Sequence, residues 1–125
     1  MTPTARRQLG DSGEGHARRF LEARGYRFVV ANWRCSAGEV DLVMRDGDEV
    51  VFVEVKTRRG ERAGRAEDAV SSAQAARLLS TAAWFVAERP EFDALIWRID
   101  LIAITLAADG RVARVNHVQN AITGG

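Results

Sequence analysis

Asp41, Glu54 and Lys56 are the residues of this chain whose types and spacing suit chemistry. Twelve residues separate Asp41 from the string Glu54-Val55-Lys56, and Lys56 is the sole lysine beside seventeen arginines. An ammonium is a compact point charge on a flexible stem, and it serves proton transfer in ways a guanidinium does not. Position 56 is therefore marked in a chain that otherwise uses Arg for positive charge, although chance also places a lone lysine somewhere. Two carboxylates beside one ammonium suit hydrolysis assisted by a hard divalent cation. Mg²⁺ takes one or two carboxylates, keeps several waters and leaves positions for phosphate oxygens. The ammonium is then placed to orient or deprotonate an attacking water, or to neutralise charge in the transition state.

Such a group needs elements that bring it together. Glu39 to Arg45 and Glu49 to Thr57 read as strands joined at Asp46-Gly47, a strong hairpin signal. With a two-residue loop there, Arg45 pairs with Asp48, Asp41 faces Phe52 and Glu39 faces Glu54. Opposed residues, and residues two apart on one strand, project to the same face. Glu39, Asp41, Glu54 and Lys56 are thus expected on one face, with Asp41 and Glu54 roughly 7–8 Å apart on the diagonal. Their neighbours are apolar, namely Val40, Leu42 and Val43 on one strand and Val51 to Val53 and Val55 on the other. Carboxylates facing each other among such residues are destabilised by repulsion and desolvation unless something compensates, and a divalent cation does so. Salt bridges to arginines on a solvated face are the plainer account, and for Glu39 the two weigh equally.

The other elements follow from pattern. Asp11 or Ser12 caps a first helix running to about Arg24 and stopped at Gly25. Tyr26 to Trp33 reads as a strand, with a turn near Ser36-Ala37-Gly38. Glu67 to Arg89 reads as a long helix ended by Pro90, burying Ala75, Leu78, Leu79, Ala82, Phe85 and Val86. Leu95 to Leu106 and Val112 to Val118, joined at Asp109-Gly110, close the chain as two strands. The order α-β-β-β-α-β-β implies an α/β domain with a mixed sheet of about five strands and flanking helices. We expect residues 1–11 to be a flexible N-terminal segment and residues 12–120 to form one domain, since 125 residues suffice for one core and not for two.

Composition narrows the class of function. No stretch is long and apolar enough for a membrane span, and Met1 to Gly10 lacks the apolar run of a secretory signal. One cysteine, Cys35, excludes an intramolecular disulfide and a cysteine-based zinc site, and His16 and His117 have no ligand spacing. These features point to the cytoplasm. The net charge of +1 says little about partners. Locally, Lys56 to Arg65 carries five cations against one Glu with two glycines, a loop suited to a phosphate backbone or to plain solvation. Trp33, Trp84 and Trp97 are expected as packing residues, and Asp100 as a partner of Arg98 or another arginine.

Asp41, twelve residues and Glu54-Val55-Lys56 together resemble the PD-(D/E)XK nuclease superfamily, whose core is also α-β-β-β-α-β. Within it the chain is most similar to the YraN-like family of small bacterial proteins. Gly13-Glu14, Gly38-Glu39-Val40-Asp41-Leu42, Val53-Glu54-Val55-Lys56-Thr57-Arg58, Gln74 and Arg98-Ile99-Asp100 carry the likeness, which spans roughly residues 12 to 118. The chain departs from the usual pattern at Val40, where the superfamily has a proline, and at Ala73, where a basic residue usually precedes the glutamine.

The resemblance implies a restriction-endonuclease-like fold binding Mg²⁺ or Mn²⁺ and hydrolysing nucleic-acid phosphodiesters, with DNA the favoured substrate and branched or flapped structures favoured over sequence. It implies that Asp41 and Glu54 are metal ligands and Lys56 the catalytic lysine. Glu14 matches an acid that many members aim at the metal, although Asp11-x-x-Glu14 also fits a capping box. Glu39 and Gln74 are supporting residues at the edge of the site. Arg58, Arg59, Arg62 and Arg65 are expected to grip phosphates. Small nucleases of this kind, such as archaeal Holliday-junction resolvases, act as dimers, which implies a homodimer. The other class of function is a nucleic-acid-binding accessory module that keeps the fold without turnover.

Overall fold

The computed structural model describes residues 5–60, 70–92 and 94–122, with side chains described from residue 13 onward. Helix α1 (Ala5–Glu22) precedes strands β1 (Arg27–Cys35), β2 (Gly38–Asp46) and β3 (Glu49–Arg59). Helix α2 (Ser72–Ala87) and a 3-10 turn (Pro90–Phe92) lead into β4 (Ile96–Leu106) and β5 (Val112–Ile122). This is the α-β-β-β-α-β-β order that hydrophobic pattern implied. One five-stranded sheet holds the strands in chain order, β1-β2-β3-β4-β5. β3 and β4 run parallel and the other neighbours antiparallel, so the sheet is mixed. A parallel pair cannot be joined by a hairpin. The segment carrying α2 makes that crossover.

Each helix covers one face, which is why β3 and β4 read as nearly unbroken apolar runs. Towards α1, Ala17 and Leu21 pack with Leu42, Met44, Val51, Val53, Ile102 and Ile104. Towards α2, Leu78, Ala82 and Phe85 pack with Val43, Val50, Phe52 and Ile99. Phe85 anchors the second layer, with Phe92 stacked on it and the edges of Phe52 and Trp33 against it. Trp97 meets Phe52 edge to face, so Trp33 and Trp97 are packing residues as expected. Trp84 is 42% exposed, its indole N–H donating to Glu88.

Several boundaries differ from expectation for identifiable reasons. α1 begins at Ala5, so Asp11 and Ser12 lie within it and Asp11-x-x-Glu14 is not its cap. Residues 1–4 of the expected flexible segment lie outside the described residues. α2 starts at Ser72 and not at Glu67 because Ser71 takes an extended conformation and its hydroxyl accepts from Gln74 N at 3.1 Å. Residues 61–69 lie outside the described residues. Buried Thr81 joins the expected inner face of α2, bonding back to the Arg77 carbonyl. β5 runs on to Ile122 because it bulges, setting residues 119–121 against Asp100 alone.

The β2–β3 hairpin is shifted by two residues from the expected register. Asp46 pairs with Glu49, leaving Gly47 and Asp48 as the loop. Gly47 takes φ +59 at the first loop position, which is the place for Gly in a II′-type turn. A shift of two keeps every side chain on its expected face. It also moves Asp41 away from Phe52 and towards Glu54.

Candidate active site

Pairing between β2 and β3 ends at Leu42 opposite Val53. Just beyond it the alternation of the sheet changes. Ala31 and its partner Leu42 pack towards α1, whereas Trp33 and its partner Val40 pack towards α2. Asn32, at φ +53, lies at this reversal on β1, and Asp41 lies at it on β2. The Asp41 side chain fills the place that the backbone ladder has left, its Oδ2 accepting from Val55 N at 2.8 Å. Gly38 brings the start of β2 close to α2. A Cβ there would meet Thr81 Oγ1 at 2.9 Å, and its φ of +151 also disfavours a side chain.

Glu54 is 8% exposed and lies beneath the first turn of α2. Gln74 Nε2 donates to its Oε1 at 3.2 Å, and Lys56 Nζ approaches the same oxygen at 3.5 Å. Asp41 and Glu54 lie close enough that each acts on the other's affinity for protons. Burial and the neighbouring Asp41 push Glu54 up to about 8, with Lys56 offsetting part of the rise. Burial likewise raises Asp41, against the lowering effect of the Val55 N–H. Two acids with raised affinity for protons and one amide thus line a pocket of about 260 Å³, and the Lys56 ammonium reaches Glu54 beside it.

The structure brings Asp41, Glu54, Lys56 and Gln74 together. Glu39 reaches the rim of the same pocket and pairs with Arg34 at 3.0 Å, the ordinary role weighed for it. Glu14 borders a depression with Arg18, Ala31, Asn32 and Leu42. Arg58 and Arg59 are exposed at the end of β3, on the strand that carries Lys56. Arg62 and Arg65 lie outside the described residues. Among the described residues no three acids, cysteines or histidines form one metal-binding group. The donor set still fits a hard cation, because Mg²⁺ needs only one or two carboxylates and completes its shell with water and phosphate.

A second polar cluster was legible only in part. Asp100 is fully buried and accepts from Arg98 Nε at 3.0 Å, as expected. It also accepts from Asn120 N at 2.9 Å and from His117 Nε2 at 2.7 Å. Arg98 extends the cluster to Tyr26 OH at 2.7 Å and to Glu49. Burial alone would raise Asp100, but the bonds from His117, Asn120 and Arg98 outweigh it and hold the carboxyl below its ordinary range. The link to His117 runs diagonally from β4 to β5, where His117 lies opposite Ile102, and no spacing in the sequence signals it. Arg77, which lines the Asp41–Glu54 pocket, was missed as well.

Residues 13–104, which include Asp41, Glu54, Lys56 and Gln74, match the uncharacterised protein family UPF0102. The chain belongs to that family. A UPF0102 protein of Roseiflexus castenholzii is 41% identical over 117 residues, 94% of each chain. One from Frankia casuarinae is 44% identical over 117 residues, 94% of this chain and 98% of the relative. The UPF0102 protein YraN of Salmonella newport is 45% identical over 101 residues, 80% of this chain and 77% of the relative. Among the described residues of this UPF0102 protein, no helix is long and apolar enough to cross a membrane.

Proposed function

We propose that this UPF0102 protein is a metal-dependent nuclease of PD-(D/E)XK type, a structure-selective DNA endonuclease of the cytoplasm. One observation carries the reading: two carboxyls, Asp41 and Glu54, line one polar pocket, and Lys56 Nζ lies 3.5 Å from Glu54 beside it. An acid pair with Glu54 buried and Asp41 half-buried is costly in a fold with this many apolar alternatives, and a cation held between them gives it a purpose. Mg²⁺ or Mn²⁺ held by Asp41 and Glu54 would supply an activated water and neutralise phosphate charge.

The protein's own residues do the rest. The Val55 N–H fixes one Asp41 oxygen, and Gln74 fixes one Glu54 oxygen. Lys56 orients the attacking water and stabilises charge as water adds to phosphorus and the ester P–O bond breaks. Arg58 and Arg59 grip neighbouring phosphates, and a second copy of the chain completes a dimer on branched DNA. The accessory-module reading draws on the Asp41–Val55 bond, which also gives Asp41 a purely structural use.

Calorimetric titration with Mn²⁺ tests the metal site. Wild type should bind with release of a proton, and Asp41→Ala should lose the heat. Equal heats from the two proteins would show that the cation binds elsewhere.

A further inference from the structure

Glu54 borders two pockets, one on each flank of the first turns of α2. The pocket on the β4–β5 flank is about 480 Å³, and Val70, Ala75, Leu101, Val118 and Ala121 give it apolar walls. No cation is among its described lining residues. The pocket on the β2 flank holds Asp41, Glu39 and Gln74, and Arg77 is the one cation among its described lining residues. A phosphodiester keeps its charge, so an apolar pocket would strip its hydration without return. The cation-bearing side is the one that suits it.

Arg77 is exposed, and among the described residues no carboxylate lies within ion-pair distance of it, although three line its pocket. Each of those acids is engaged elsewhere: Glu39 with Arg34, Asp41 with Val55 N–H, Glu54 with Lys56 and Gln74. Arg77 stands three residues after Gln74, so both project from neighbouring positions on one face of α2. Gln74 holds Glu54, and Arg77 is left with a planar fork of donors that matches phosphate oxygens two at a time. We propose that Arg77 binds a backbone phosphate of the substrate strand on the β2 flank of α2, next to the bond cleaved at Asp41 and Glu54. This rests on the nuclease reading and adds to it the side of α2 along which the strand runs.

The test is anisotropy of labelled flap DNA in EDTA, titrated from low to moderate salt. Each phosphate contact adds about 0.7 to 0.9 to the slope of log affinity against log salt. Arg77→Ala should bind about tenfold more weakly, with the slope reduced by about one contact, while Arg77→Lys retains the slope. Arg111→Ala removes an equal charge from the far β4–β5 turn and should change neither quantity. Arg77→Ala should also keep the Mn²⁺ thermal shift of wild type, which shows that the acid pair is intact. A wild-type slope in Arg77→Ala would overturn the assignment alone. Wild type that binds no DNA would overturn the nuclease reading with it.

Discussion

Glu54 keeps its proton to about pH 8 because burial and Asp41 act together on one carboxyl, and Lys56 only partly offsets them. The unfolded chain releases the same proton near 4.5. Between those values the folded state binds more protons than the unfolded one, so stability falls as pH rises and levels off above about 8. Asp41 is raised as well and contributes with the same sign. Glu54→Gln should flatten this dependence and exceed wild type near pH 8 by about 1 kcal/mol or more, read from urea midpoints in EDTA. Parallel pH profiles for the two proteins would contradict the assignment. Mn²⁺ must displace the proton, so its affinity for wild type should rise with pH and level off near 8. None of this was legible residue by residue. The sequence shows two acids and a lysine, while the coupling depends on a contact at the point where β2 leaves β3.

At the scale of elements, β3 carries Glu54 and Lys56, and both helices pack against it. Gly13 of α1 packs directly on Thr57, next to Lys56, and a Cβ at position 13 would collide with the Thr57 hydroxyl. Gly13→Ala should therefore cost about 1–3 kcal/mol by overpacking, and adding Thr57→Ala should recover part of it. Urea unfolding of the single and double variants checks this, and simple additivity would argue against the contact. The same scale shows what sequence pattern reveals. The β2–β3 hairpin was visible because alternation and a Gly turn coincide there. Its register was off by two because Asp46-Gly47-Asp48 allows Gly47 either loop position, and the preserved parity kept Asp41 and Glu54 on the intended face. The start of α2 was misplaced because helical periodicity runs on upstream, whereas the Ser71 hydroxyl decides where the helix begins. The link from Asp100 to His117 was out of reach because the β4–β5 register sets it, with His117 opposite Ile102 and so diagonal to Asp100.

Across the whole molecule, the two polar clusters sit on opposite faces of one sheet. Arg98 and Asp100 share the side of Ile102 and α1, whereas Glu54 faces α2 with Phe52. On the proposed reading, the Asp100 network serves stability and the Asp41–Glu54 pair serves chemistry. Asp100→Asn strips Arg98 and His117 of their shared partner and should cost about 3–5 kcal/mol, as removal of one member of a buried pair does. While folded, that variant should keep the wild-type Mn²⁺ response. Because Asp100 is held below its ordinary range, its contribution is full at neutral pH and fades as pH falls through the acid range. Loss of Mn²⁺ binding in folded Asp100→Asn would show that the faces are coupled. The central claim rests on the other face, and cleavage of branched and flap DNA with Mn²⁺ tests it most directly. Wild type should cut, Asp41→Ala and Lys56→Ala should each lose at least about a hundredfold in rate, and Lys56→Ala should still bind the DNA. Equal cutting by wild type and Asp41→Ala, or none by metal-loaded wild type, would contradict the account.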